Sequence, residues 1–394
     1  MKLLVVCSSL DLTQPFSATP AWWQLLKAFY EIGVEVIATP YQGPAIETLW
    51  WRSAANPAQR QGDTFQRLRN LLRQVSASPS TPTTNPAADP ASDRLIRATV
   101  KQLITPLWAR HLDDLLTREP DIDAVLILTA PLNHLVGIPA EIQRKHGKPV
   151  FYYDGDVPAS LPSMAGFASG FRIYQGGDPS EYTALISNSQ GGAAALKDLG
   201  ARAVHTVYYG ADPDVFAPVP VAAQDIDVFF YGHGREYREQ WVEAMLTQPA
   251  AALPEATFAV RGRNLGDLGR VQSLPYLSFS KLREYACRSK LNLCITRGAH
   301  ASVYASSSSR PFELSALGCC MVANTYAGIE EWFEPGKEVI VVHSAEEAIE
   351  QYRWLLTHDS ARQAIGAAAR TRLLAEHTFQ HRARQLITLF KPYL

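Results

Sequence analysis

Two stretches of the chain hold side chains whose types and spacing could bind an anion. The first is Gly232-His233-Gly234-Arg235, with Arg238 a turn further on, directly after the apolar run Asp227–Tyr231. Glycines let a backbone approach a phosphate, a following helix offers N–H donors, and arginines supply bidentate positive charge. The dinucleotide fingerprint G-x-G-x-x-G is incomplete, because its last position is Tyr237. The same residues also suit a plain turn with a solvated arginine.

The second stretch runs from Leu291 to Trp332. A strand ending at Thr296 leads into Arg297-Gly298 and then a loop with four consecutive serines, Ser306–Ser309. Pro311 suits the first turn of a helix, where its fixed φ helps and its missing N–H costs nothing. Ser309 and Arg310 therefore stand at a helix N-terminus, an anion site in waiting. Glu313 falls in the first turn, and Gly318 ends the helix. That carboxylate either complements the helix dipole, worth about 0.3–1 kcal/mol, or accepts from a ribose diol while N–H groups hold phosphates. Arg297 and Arg310 beside it favour the nucleotide.

Three more candidates follow apolar runs in the first half: His134 after Ala124–Thr129, and Asp154 and Asp156 after Val150–Tyr153. A carboxylate or imidazole there could orient or deprotonate a hydroxyl. A backbone-satisfied loop histidine and a turn in D-G-D-V-P are the alternatives. The five cysteines, Cys7, Cys287, Cys294, Cys319 and Cys320, form no C-x-x-C pair and no zinc spacing, so neither a metal centre nor a disulfide framework is expected.

The elements that must position these residues read as strand and helix in alternation. Leu3–Cys7 is a buried strand, Ala21–Ile32 an amphipathic helix stopped by Gly33, and Val34–Ala38 a second strand, which together make a βαβ unit of a parallel sheet. Ala124–Thr129, Val150–Tyr153 and Ala184–Ser187 add strands. Helices are expected over Phe65–Val75 and Arg94–Leu116, and between them Ser76–Ser92, with its prolines and no aliphatic residue larger than alanine, reads as a mobile loop. A Pro-rich linker across Pro213–Pro220 precedes a second series: Asp227–Tyr231, a helix Glu236–Leu246, then Thr257–Val260, Leu291–Thr296, Cys319–Ala323 and Val339–Val342. Ala361–Phe390 reads as helical throughout. In open parallel sheets, ligands bind beyond the carboxyl ends of the strands, so two facing sheets make a cleft between them.

With 394 residues, 47% of them hydrophobic, the chain has material for two large cores. A net charge of −1 argues against nucleic acid or an anionic membrane surface as main partner. The N-terminus lacks a signal-peptide pattern and the best apolar stretch, from Ala124, carries Asn133, His134 and two prolines, so a cytoplasmic protein without an integral membrane segment is expected. Trp22-Trp23 and Trp50-Trp51 could stack on a sugar, but their helical setting favours the core. The basic segment His377–Arg384 reads as a crossover helix rather than a membrane contact.

Several ordered strings resemble one family. RPFELSALG from Arg310, AGIEEWFEPGKEV from Ala327, YLSFSKLREYACRSKLNL from Tyr276 and AEHTFQHRA from Ala375 are similar to the C-terminal half of spore-maturation-type (CgeB-like) glycosyltransferases. These are relatives of the large family 4 group with the GT-B fold. The resemblance is clear from about Asp227 onward. A looser one covers Phe151–Pro218, including YYDGDVP and YYGADPDVF.

The resemblance implies an α/β protein of GT-B type, with two Rossmann-like domains facing across a cleft and a C-terminal helix crossing back to the first. The expected boundaries are 1–217 for an acceptor domain, 218–375 for a nucleotide-sugar donor domain and 376–394 for the crossover helix. It further implies transfer of a sugar from a UDP- or GDP-linked donor to a small-molecule, glycan or protein acceptor, metal-independent, without a cofactor, and with retained configuration. Arg238 and Arg310 match the diphosphate arginines, Glu313 the ribose-contacting glutamate, and Gly328 and Glu330 the loop near the donor. The first glutamate of the family's pair falls at Ala305, a departure, and no lysine matches the one beside the diphosphate. Asp154-Gly155-Asp156 has the spelling of a metal-binding Asp-x-Asp but sits in the acceptor half. A nucleotide-sugar epimerase and a non-catalytic sugar-nucleotide-binding subunit share the architecture.

Overall fold

The computed structural model describes residues 1–12, 21–62, 91–164, 173–234, 238, 240–275, 277–306 and 308–394; for 91–96 and Phe279 it describes the backbone alone. Phe65–Val75, most of the Ser76–Ser92 loop, and Arg235, Glu236 and Tyr237 lie outside these residues.

Among the described residues, thirteen strands form two parallel sheets. The first comprises β1 (Lys2–Ser9), β2 (Glu35–Gln42), β3 (Arg52–Ser53), β4 (Ala124–Leu128), β5 (Val150–Asp154), β6 (Ala184–Ser187) and β7 (Val204–Thr206), in the order β3-β2-β1-β4-β5-β6-β7. The second comprises β8 (Ile226–Tyr231), β9 (Phe258–Arg261), β10 (Gln272–Ser273), β11 (Ser289–Cys294), β12 (Met321–Asn324) and β13 (Ile340–Val342), in the order β10-β9-β8-β11-β12-β13. Strand order reverses between β1 and β4, and again between β8 and β11. Ligand crevices open at such reversals.

Each central strand is apolar on both faces because helices cover both. Leu3, Val5 and Cys7 of β1 face one core while Leu4 and Val6 face another. The second sheet repeats this with Phe229 and Tyr231 on one side, Val228 and Phe230 on the other.

Three expectations need correction. Arg94–Leu116 is two helices, Ala91–Leu103 and Thr105–Arg118, with Pro106 opening the second, and the first begins inside the stretch read as loop. The helix after β8 runs on to Ala252 and passes through a π turn at Glu243–Thr247; Pro249 has no N–H to close the ordinary ladder there.

The third concerns the C-terminus. Ala361–Phe390 is interrupted: Asp359–Arg372 continues through a π turn to His377, and a new helix, Phe379–Phe390, starts after Thr378. Thr378 is extended (φ −73°, ψ 159°), and its side chain accepts from the His381 N–H while the His381 imidazole accepts from the Thr378 N–H. This reciprocal cap turns the chain. The last helix then packs on Ala21–Glu31 and buries Phe379, Ala383, Leu386 and Phe390 in the first sheet's core, with Phe390 stacked 4.1 Å from Phe151. Thr378→Ala is expected to cost about 1 kcal/mol, read as a lower midpoint in urea unfolding. Among the described residues no helix is long and apolar enough to cross a membrane.

Candidate active site

At the reversal point of the second sheet, two buried guanidiniums converge on the backbone after β8. A Cβ on Gly232 would stand 3.1 Å from Arg310 Nη2 and 3.2 Å from Arg238 Nη2. Arg310 lies over the rings of Phe230 and Tyr231, 5.2 and 4.9 Å from their centroids, and Arg238 lies 5.6 Å from Phe230. Consecutive aromatic residues at the end of one strand thus shelve both cations. Arg238 Nη1 donates to the carbonyls of His233 and Gly234. Among the described residues, Arg310 Nη1 makes one long bond to Ile295 O (3.4 Å), and its buried Nε has no acceptor.

The β8 and β9 ends are locked together: Gly232 N–H donates to Arg261 O at 3.0 Å, and Gly234 N–H to Arg263 O at 3.1 Å. A Cβ on Gly262 would come 1.9 Å from Gly232 O, so this close approach needs glycine. His233 sits over the joint, its Nδ1 accepting the Arg263 N–H at 3.0 Å, which leaves its proton on Nε2. Burial, then the charges of Arg261, Arg238, Arg310 and Arg263, push its pKa down to about 4, so the imidazole is neutral at physiological pH. Four guanidiniums surround one neutral histidine.

Glu313 is 4% exposed. Its carboxylate accepts the Tyr231 hydroxyl at 2.8 Å and the Ser309 hydroxyl at 2.7 Å. Burial raises its pKa, opposed by these hydroxyls and by Arg310. Ser309 stands before the Arg310–Ala316 helix in helical conformation, and its side chain reaches Glu313 rather than capping backbone. Gly328 takes φ +94° and starts a 3-10 turn; its N–H donates to Glu330, which is exposed. Ala305, at φ +49° and fully buried, packs against Gly328: a Cβ there would lie 2.2 Å from Ala305 N.

The two halves meet here. Arg297, after β11, pairs with Asp156, after β5, and His300 Nε2 lies 3.2 Å from Arg297 Nη2 and 3.5 Å from Asp156 Oδ1. Backbone bonds reinforce the contact: Gln190 N–H to Ala305 O (3.2 Å), Gly191 N–H to Tyr304 O (2.9 Å), and the Ser306 hydroxyl to Val157 O (2.8 Å). Burial raises the Asp156 pKa and the Arg297 charge lowers it.

Asp154 is fully buried and accepts from the Ser160 hydroxyl (2.5 Å), the Tyr174 hydroxyl (2.7 Å) and the Asp156 N–H (2.9 Å). Desolvation outweighs these donors and pushes its pKa up to about 6. The folded value exceeds the unfolded one of about 3.9, so the native state binds more protons in that interval and stability falls as pH rises from about 4 to about 6. Asp154→Asn is expected to flatten that slope, seen by urea unfolding at pH 4.5 and 7.5. His134 stands apart: its Nδ1 shares a hydrogen bond of 2.5 Å with the Tyr41 hydroxyl, and burial with the Arg97 charge pushes its pKa down to about 4.

The structure therefore gathers Gly232, Arg238 and Arg310 with Glu313 and Ser309, and brings Arg297 to Asp156; Arg235 lies outside the described residues. Sequence reasoning passed over Tyr231, His233, Arg261, Arg263 and His300. Arg261-Gly262-Arg263 directly after a strand was the available signal. Trp22 and Trp51 are core; Trp23 and Trp50 are half-buried beside Lys27, Asp214 and Arg283, around a groove of about 310 Å³.

Residues 235–388 match the family model for glycosyl transferase-like proteins. Among solved structures, sucrose-phosphate synthase from Thermosynechococcus elongatus is similar with a TM-score of 0.66 at 13% identity, covering 100% of this chain and 99% of that one. Anabaena Alr3699/HepE, solved with UDP-glucose, gives 0.59 at 13%, with both chains covered completely. Trehalose-6-phosphate synthase, OtsA, gives 0.64 at 14%, covering 99% of each. No curated protein matches the sequence. The fold is GT-B. Asp156 of the first half thus meets Arg297 and His300 of the second, and the last helix returns to the first sheet.

Proposed function

We propose that this protein is a glycosyltransferase that moves a sugar from a nucleoside-diphosphate sugar to an acceptor hydroxyl, and that it stands with the CgeB-like relatives of family 4. The observation that carries the reading is the convergence of Arg238 and Arg310 on Gly232 at the strand-order reversal. Glycosyl transfer needs its departing diphosphate stabilised by fixed positive charge. Two guanidiniums shelved on Phe230 and Tyr231 supply it without reorganising, and His233 holds the Arg263 N–H beside them. On this reading Arg235, Arg297, Gly328 and Glu330 line the donor, Glu313 faces the ribose, and no resident metal or cofactor is needed.

On the opposite wall, Asp156 positions Arg297 and keeps the crevice closed, while Asp154 holds the Asp156 loop through its N–H. His134 is retained as an acceptor-side residue. Both aspartates are engaged by other groups, which supports retention of anomeric configuration over attack by a carboxylate-activated hydroxyl. The neighbour solved with UDP-glucose makes UDP the first base to try.

The test is calorimetry with UDP, GDP and TDP in EDTA, followed by mass-spectrometric screening of UDP- and GDP-sugars with and without acceptors. Binding of one nucleotide and acceptor-dependent loss of its sugar are expected. Donor conversion without an acceptor would indicate an epimerase, and binding without turnover a non-catalytic subunit. Failure to bind any nucleotide removes the proposal.

A further inference from the structure

His300 is buried where the two halves meet, and no step of the proposed reaction uses it. It lies in the short helix Gly298–Ala301 that follows Arg297, and it is 1% exposed. Its Nε2 stands 3.2 Å from Arg297 Nη2 and 3.5 Å from Asp156 Oδ1. A guanidinium can only donate, so Nε2 accepts and the ring carries its proton on Nδ1. Burial, then the charges of Arg297 and Arg238, keep the imidazole neutral, as that bond requires.

Arg297 Nη2 carries two N–H groups, and two acceptors meet it: Asp156 Oδ1 from the first half and His300 Nε2 from the second. Among the described residues these are the only hydrogen bonds of the Arg297 side chain, which leaves the N–H groups on Nε and Nη1 for another partner. We propose that His300 is a positioning residue which, together with Asp156, clamps Arg297 by Nη2 and turns its remaining N–H groups toward a phosphate oxygen of the donor. The inference deepens the transferase reading above and rests on it.

The other ring nitrogen explains why packing alone does not account for a histidine here. Nδ1 is buried and, among the described residues, has no hydrogen-bond partner. A buried N–H without an acceptor is unfavourable, and an aliphatic side chain would fill the space without one. What the imidazole adds over leucine is the Nε2 acceptor. The Arg297 side chain is 25% exposed, and Asp156 alone would leave it free to swing about a single contact. A second acceptor from a different element fixes the guanidinium before the ligand arrives, so less order is lost on binding.

The experiment compares His300→Leu and His300→Gln in the full chain. Leucine removes the acceptor, whereas the glutamine Oε1 can stand in for Nε2. In calorimetry with UDP, His300→Leu is expected to bind about tenfold more weakly, the worth of one charge-assisted hydrogen bond, and His300→Gln to recover most of the affinity. The melting temperature of His300→Leu should not fall, because the orphaned N–H goes with the lost bond. Nitrogen-15 spectra of histidine-labelled protein, read by difference against His300→Gln, should place the His300 proton on Nδ1. A folded His300→Leu protein with parental affinity would overturn this inference and leave the transferase reading intact. So would a His300 proton on Nε2, or a His300→Gln protein as weak as His300→Leu. A parent chain that binds no nucleotide removes both.

Discussion

Arg310→Gln is expected to weaken nucleoside-diphosphate binding by about 100-fold, and Arg238→Gln by a similar factor. Hydrogen bonds to charged groups are worth about 1.5–3 kcal/mol each, and every 1.4 kcal/mol is about tenfold in affinity. Arg310 is the more telling of the two, because among the described residues its buried Nε has no acceptor and its Nη1 makes only one long bond. Its guanidinium lies over the rings of Phe230 and Tyr231. Arg310→Lys keeps the charge but loses the planar fork and its fit over Phe230 and Tyr231, so most of the loss should remain. Titration calorimetry with UDP decides the matter, with far-UV circular dichroism to establish folding. A folded Arg310→Gln protein within threefold of the parent would remove this arginine from the site.

Gly262→Ala should have the second largest effect. Its methyl would lie 1.9 Å from Gly232 O and 2.8 Å from Leu265 Cδ1. The first contact is backbone and cannot rotate away, so the β8 end must shift. That shift disturbs the Gly232–Arg261 and Gly234–Arg263 hydrogen bonds and moves the backbone on which Arg238 and Arg310 converge. Overpacking of this kind costs about 3 kcal/mol, and nucleotide binding should fall with it. Gly62→Ala, where an added Cβ meets nothing within 4 Å among the described residues, is the control and should stay within about 0.5 kcal/mol. Urea midpoints and UDP titrations of both variants make the comparison. A Gly262→Ala protein with parental affinity would show that the β8–β9 joint is not what sets the anion site.

The parallel sheets were legible because strands buried on both faces read as continuous apolar runs. Ala184–Ser187 is found at the expected residues, and Ala124–Leu128 within one. The two-residue edge strands β3 and β10, Arg52–Ser53 and Gln272–Ser273, are polar and leave no pattern to read. The break at Thr378 was hidden for a different reason. Helical residues continue on both sides of it, and only the Thr378–His381 cap, a local backbone event, separates them.

The site divides the same way. Arg238, Arg297 and Arg310 were visible because each follows a strand where ligands gather. The pairing of Arg297 with Asp156 spans 141 residues and no local pattern encodes it. Nor does D-G-D-V-P disclose that the Asp154 carboxylate is taken up by Ser160 and Tyr174, since those hydroxyls arrive from loops further along the chain. The sequence places His233 between two glycines and assigns it no role. Its electrostatic setting comes from Arg261 and Arg263 on a neighbouring strand end.

The return of Phe379–Phe390 to the first sheet bears on how the polypeptide matures on the ribosome. Leu3, Val5, Leu25 and Phe29 are translated long before the aromatic and aliphatic partners that seal their side of the sheet. Until those partners are made, this half has a greasy flank uncovered, a state prone to association. Emergence of Phe379–Phe390, rather than completion of the leading half, is the event that ends this exposure.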